Sequence, residues 1–278
     1  MSFKSKPPIE RLATGVKGFD ELIEGGIPRG FFVAVVGEPG AGKTIFCIHY
    51  AGEGVRVGDK VIYVTTEESR ESILKQAEQF NIPLRRAWEE GKVVIIDALI
   101  RDREDPWSLR EVTVEELVAR VIEAKKKLGY GRTRLIVDSM SAFWLDKPAM
   151  ARKMSYYVKR ILYKWDMTAL LVSQFAITTL TAFGFGLEHV ADGIIRFKKI
   201  VSKGVIRRFI LVEKMRQTNH DLTAHEIIIK PGEGMIVVSR TSYRAEDIRM
   251  PKELAKRIIE ARERERGSFG VEEDEGWY

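Results

Sequence analysis

The chain has 278 residues, enough to bury one large core or two small ones. Its 46 Lys and Arg outnumber 40 Asp and Glu by six, a balance that permits an anionic partner without demanding one, because a concentrated basic patch is the footprint of nucleic-acid binding. A single cysteine, Cys47, excludes an intramolecular disulfide and sets the expectation of a reducing, cytoplasmic location; the opening MSFKSKPPIE lacks a signal peptide's apolar core, and no run approaches the ~20 apolar residues of a membrane span.

Along the chain, short apolar runs alternate with helical patterns, which predicts a parallel sheet with helices on both faces. Strands are expected at 31–37 (FFVAVVG), 60–66, 92–97, 134–139 and 168–174, with helices near 43–57, 69–80, 113–128 and 149–164. The third helix opens with TVEE, a capping box of Thr113 and Glu116. After residue 190 the rhythm changes to GIIRFKK, VIRRFILVEK, HEIIIK and GMIVVS, consecutive strands joined by short turns. The fold class is therefore α/β: a parallel-core twisted sheet to which C-terminal antiparallel strands are added. Residues 1–240 read as one domain. Residues 241–278 stand apart, with a charged helix expected over 251–266 behind Pro251 and then the acidic GSFGVEEDEGWY. That tail is either a frayed terminus or a docking peptide for a neighbouring subunit or a protein partner.

The chemistry begins at GEPGAGKT, residues 37–44, which fits G-x-x-x-x-G-K-[ST] between an apolar strand and a helix. Gly37, Gly40 and Gly42 let the backbone wrap closely, so that N–H groups at a helix N-terminus face phosphates. Lys43 neutralises the β- and γ-phosphates and Thr44 offers a hydroxyl to Mg²⁺. Glu38, Pro39, Ala41 and Ile45 complete the nucleotide-binding stretch. The strand RLIVDS ends in Asp138, suited to support the same Mg²⁺, while Ser139 caps the following turn. In VTTEES, Glu67 and Glu68 sit where the strand after the first helix emerges at the carboxyl edge of the sheet, the edge at which ligands bind. A carboxylate there orients or deprotonates the attacking water; Glu67 is assigned as base and Glu68 as its support. The alternative is that both acids favour the dipole of the helix beginning at Ser69.

With RLATGVKGFDELIEGGIPRG (11–30) before the phosphate loop and EHVADGII (188–195) after it, these motifs resemble the KaiC-type ATPases of the RecA superfamily, a group that includes RadA-like paralogues. The resemblance extends to about residue 240. It implies a RecA-like P-loop NTPase fold, ATP with Mg²⁺, slow hydrolysis, and a homo-oligomer, a hexameric ring, with sites shared between subunits. In that family a K-x-R run followed by Thr and His reaches the nucleotide of a neighbour. Lys214, Arg216, Thr218 and His220 of EKMRQTNH fall on this pattern. Lys214 and Arg216 alternate along an expected strand and so share a face; the resemblance implies that they complete the neighbour's catalytic site and that Thr218 and His220 touch phosphate or sugar, whereas without it the stretch reads as a charged strand edge. Gln217 stands where the family often has Gly. Ser173 and Gln174, ending LLVSQF, occupy the place of a γ-phosphate sensor. The segment 176–190 resembles a pore-facing loop, in which Phe183 and Phe185 either stack on bases of single-stranded DNA or pack against protein. Glu188 and His189 replace the Ser–Thr pair of autophosphorylating members, so autokinase activity is not expected, although Thr178, Thr179 and Thr181 lie upstream. Two other functions compete with a signalling ATPase: a recombinase paralogue binding single-stranded DNA, and a scaffold that uses ATP to assemble. Cys47 is expected in the core, and Trp107 and Trp144 either there or at an interface.

Overall fold

The computed structural model describes residues 9–240 except 101, 103, 145–149, 175–186 and 203. A short antiparallel pair, β1 (Arg11–Leu12) and β2 (Ile27–Pro28), precedes the main sheet. The α/β alternation then runs β3 (Phe32–Gly37), α1 (Lys43–Val57), β4 (Lys60–Thr65), α2 (Arg70–Gln79), α3 (Leu84–Glu89), β5 (Val93–Asp97), α4 (Val114–Leu128), β6 (Thr133–Asp138), α5 (Ala151–Leu162) and β7 (Met167–Gln174). The one-turn α6 (Leu187–Val190) leads into β8 (Gly193–Ser202), β9 (Val205–Met215), β10 (His225–Lys230) and β11 (Gly234–Arg240).

These strands form one nine-stranded sheet in the order β11-β10-β9-β8-β3-β7-β6-β4-β5. Neighbours from β8 to β5 are parallel, and from β8 to β11 antiparallel. The expected parallel core with antiparallel additions is thus the observed architecture. β3, β5 and β6 are buried throughout, as strands covered on both faces must be. Alternate residues feed two cores. Val33, Val35, Tyr63 and Ile136 join the layer of α1, α2 and α3, while Ala34, Val36, Ile62 and Val137 pack beneath α4 and α5. Cys47 and Trp144 are both core residues.

Two local details depart from the sequence reading. The helix α3 and the β1–β2 pair were not foreseen, being too short to show a period. The capping box is half formed: Thr113 Oγ1 accepts from the Glu116 N–H at 3.2 Å, but the Glu116 carboxylate accepts from Arg110 and Glu111 N–H instead. Beyond β5, Asp105 pairs with Arg70 at 2.5 Å. The β10–β11 turn is fastened to α1, because His49 Nε2 accepts from the Met235 N–H at 2.9 Å. A Cβ on Gly234, whose φ is 78°, would stand 2.0 Å from that nitrogen, so only glycine fits. Among the described residues no helix is long and apolar enough to cross a membrane. Residues 241–278 lie outside the described residues.

Candidate nucleotide site

β3 lies between β7 and β8 and ends at Gly37, level with Gln174 and Phe197. A Cβ on Gly37 would come within 2.4 Å of the Phe197 carbonyl oxygen, so the loop leaves the sheet through a gap with no room for a side chain. The loop curls around its own lysine: Lys43 Nζ donates to the carbonyls of Gly37 and Glu38, both at 2.9 Å. Burial pushes the Lys43 pKa down, opposed by the nearby Asp138 and Glu67 carboxylates. α1 begins at Lys43, which aims its first N–H groups and the positive end of its dipole into the loop.

The second residue of α1 meets the end of β6. Thr44 Oγ1 donates to Asp138 Oδ2 at 2.8 Å, and the Tyr63 hydroxyl donates to the same oxygen at 3.1 Å. Burial raises the Asp138 pKa to about 6; the two hydroxyl donors pull it down, Glu67 adds to the rise and Lys43 opposes it. Two hard oxygen donors from separate elements therefore converge beside the phosphate loop, a donor set that fits Mg²⁺. Cys47, wholly buried behind them, is kept as a thiol, its pKa pushed well up by burial.

The paired glutamates separate cleanly. Glu68 Oε2 accepts from Ser72 Oγ at 2.5 Å and from Gln76 Nε2, so this side chain serves α2. Ser69, its neighbour, caps the same helix through the Ser72 N–H. Glu67 turns the other way: its Oε1 accepts from Ser139 Oγ at 2.8 Å, placing the carboxylate beside the end of β6. Ser139 thus steers Glu67 rather than capping a turn, while its own N–H donates to Thr66 Oγ1. Ser173 is buried and shares a 3.3 Å hydrogen bond with Ser141. Phe183, Phe185 and the upstream threonines lie outside the described residues.

Two cations near the loop were missed in the sequence. Lys199 of β8 and Arg208 of β9 are paired across the strands, and both overhang Gly40. Arg208 Nε donates to the Gly40 carbonyl at 3.2 Å, and Lys199 Nζ lies 3.8 Å from the position of a Gly40 Cβ. No motif marks them, because only the register of the β8–β9 hairpin puts them together.

EKMRQTNH is elsewhere. β9 runs back from the carboxyl edge, and Met215 pairs with Gly193, which is level with Val33 at the start of β3. Four residues along and two strands across place this stretch roughly 16 Å from Gly37, at the opposite edge of the sheet. The strand stops at Met215, so Arg216 stands in the following turn rather than on an extended strand, although its N–H still donates to Asp192 O at 3.0 Å. Both side chains nevertheless turn to one segment. Lys214 Nζ donates to Ala191 O at 2.6 Å, and Arg216 lies 3.4 Å from the Asp192 carboxylate while remaining 58% exposed. Gln217 adopts φ 56°, the left-handed conformation a glycine would take. Thr218 Oγ1 accepts from Arg11 at 2.9 Å, and His220 Nδ1 is 3.4 Å from Asp221 O. The structure therefore brings together Lys43, Thr44, Glu67 and Asp138, and holds Lys214, Arg216, Thr218 and His220 apart from them.

A family model described as "ATPase: KaiC" matches residues 12–242. A UPF0273 protein of Thermotoga maritima is 36% identical over 247 residues, covering 81% of this chain and 98% of its own length. UPF0273 protein PF1931 of Pyrococcus furiosus is 32% identical over 235 residues, covering 82% of this chain and 94% of itself. Among solved structures, the KaiC-like protein PH0186 from Pyrococcus horikoshii OT3 superposes with a TM-score of 0.71 at 26% identity, covering 84% of this chain and all of that one. A phosphate loop, an acid-ended β6 and a parallel core extended by antiparallel strands agree with those matches, and the chain belongs to the KaiC-like ATPases of the RecA superfamily.

Proposed function

We propose that this chain hydrolyses Mg²⁺-ATP within a ring of identical subunits, each completing the next one's site with Lys214, Arg216, Thr218 and His220. The observation that carries the proposal is the placement of those residues at the sheet edge opposite their own phosphate loop. That separation from their own loop supports a role at a nucleotide held by another copy. Arg216 is mostly exposed and has one long contact, so its guanidinium is available to an anion. ATP rather than GTP follows from the family.

Lys43 would exchange the Gly37 and Glu38 carbonyls for phosphate oxygens, and the N–H groups at the start of α1 would take the remaining charge. Thr44 and Asp138 would hold Mg²⁺, which would supply positive charge against the phosphates. Glu67, fixed by Ser139, would orient the attacking water. The neighbour's Lys214 and Arg216 would stabilise charge on the transferring phosphoryl group. A change of ring conformation on hydrolysis would then be the signal passed to a partner.

Two measurements test this. Light scattering after size exclusion, with Mg²⁺ and a slowly hydrolysed ATP analogue, is expected to give a closed assembly; a monomer under every condition would overturn the proposal. Lys43→Ala and Arg216→Ala preparations are each expected to be inactive. Mixed one to one, they should recover roughly a quarter of wild-type activity, since only interfaces joining an intact loop to an intact clamp are complete.

A further inference from the structure

α5 presents a face of unusual composition. Ala151, Ser155, Val158 and Leu162 bury its inner side. The exposed positions from 151 to 165 are Arg152, Lys153, Tyr156, Arg160, Tyr163 and Lys164, every one a cation or a tyrosine. α5 contains no acid, and its remaining cation, Lys159, is used internally on Val190 O and Asp192. Several surface arginines elsewhere are laced to acids, as Arg85 is to Glu71 and Glu78, or Arg56 to Glu53. Arg152, Lys153, Arg160 and Lys164 have no such partner among the described residues. Like charges at helical spacing repel, so this face is arranged for an anion it does not find among the described residues.

We propose that the occupant is the acidic segment of this chain, residues 272–278. It reads EEDEGWY: Glu272, Glu273, Asp274 and Glu275 match four unpaired cations in number, and Trp277 and Tyr278 supply rings for the tyrosines and guanidinium groups. Lengths agree as well. Arg152 to Lys164 spans about 18 Å of helix, and seven residues of extended chain reach about 20 Å. The intervening chain after Arg240 can stretch roughly 100 Å, against a domain whose radius of gyration is about 17 Å, so α5 is within reach. Tethering gives the segment an effective concentration of order millimolar, an advantage that a free polyanion such as single-stranded nucleic acid lacks.

The test needs no nucleotide, so its outcome is separable from that of the ATPase proposal. A fluorescein-labelled peptide of residues 268–278 is titrated against the chain lacking only 271–278 and against the whole chain, with anisotropy read at low and high salt. Saturable binding to the shortened chain is expected, weakened at least tenfold by high salt or by Arg152→Glu with Arg160→Glu, and absent for the whole chain, whose face is already covered. The milder pair Arg160→Gln and Lys164→Gln should weaken binding in the same direction, which guards against misfolding of the first. No binding, or binding indifferent to these substitutions, overturns the proposal. So does a single-stranded oligonucleotide that binds the whole chain as tightly as the shortened one, since the face is then open to nucleic acid. A change of native mass on charge reversal in the shortened chain would overturn it too, by making α5 a contact between copies.

Discussion

Lys199 and Arg208 are direct cross-strand partners, two cations side by side above Gly40 of the phosphate loop. Such a pair costs about 0.2–1 kcal/mol when no anion lies between its members. Lys199→Gln should therefore leave the nucleotide-free melting temperature unchanged or slightly higher. With Mg²⁺-ATP present the sign reverses: a tenfold loss of affinity removes about 1.4 kcal/mol of ligand stabilisation. Thermal melts with and without nucleotide give both numbers, and a ligand-induced shift equal to wild type would remove Lys199 from the site.

The two glutamates predict different losses. Glu67→Gln should lower hydrolysis by about 10²–10⁴ while leaving nucleotide binding intact, because Ser139 holds its carboxylate at the end of β6. Glu68→Gln disturbs the hydrogen bonds to Ser72 and Gln76 and should cost about 1 kcal/mol of stability, with hydrolysis within a few-fold of wild type. Phosphate release and urea unfolding, measured on both variants, separate the roles.

Asp138 is costly to the empty protein. Burial raises its pKa to about 6, so at pH 8 it is ionised against that burial. Asparagine can still accept from Thr44 and Tyr63, and Asp138→Asn should stabilise the nucleotide-free protein by up to about 3 kcal/mol at pH 8. The sign follows from protonation. As pH falls through 6 the folded wild type takes up a proton ahead of the unfolded chain, and by about pH 4 the advantage of asparagine is gone. The same substitution should abolish Mg²⁺-dependent hydrolysis. Unfolding curves from pH 4 to 8 would show the two stabilities converging on the acid side.

Gln217 holds a left-handed turn, φ 56°, that costs a side-chain-bearing residue about 1–2 kcal/mol. Gln217→Gly relieves this but loosens the unfolded chain, so the net gain should be about 0.5–1 kcal/mol. A melting temperature below wild type would show that the glutamine side chain holds the turn by contacts of its own.

What could be read in the sequence was whatever chemistry is contiguous. GEPGAGKT carries its strand, loop and helix in one run, and the apolar cores of β3 to β7 came within a residue or two of their observed bounds. Glu67 and Glu68 were found together but their roles were divided only by Ser139 and by Ser72 with Gln76, contacts from opposite sides. Lys199 and Arg208 are nine positions apart and meet through hairpin register, which one bulge near Ile194 would shift if it moved. The edge occupied by Lys214 and Arg216 depends on strand order across the whole sheet, a property that no local pattern carries.

The opposed edges of this sheet also give any assembly a direction. On the proposed function, a loop at one edge meets a clamp at the other head to tail, and copies joined this way form either a closed ring or an open row. An open row always ends in one phosphate loop without a clamp and one clamp without a nucleotide, and the waste is greatest in the shortest rows. In a ring both loose ends vanish. Turnover per chain would then rise as the row closes, and the rate itself would report closure.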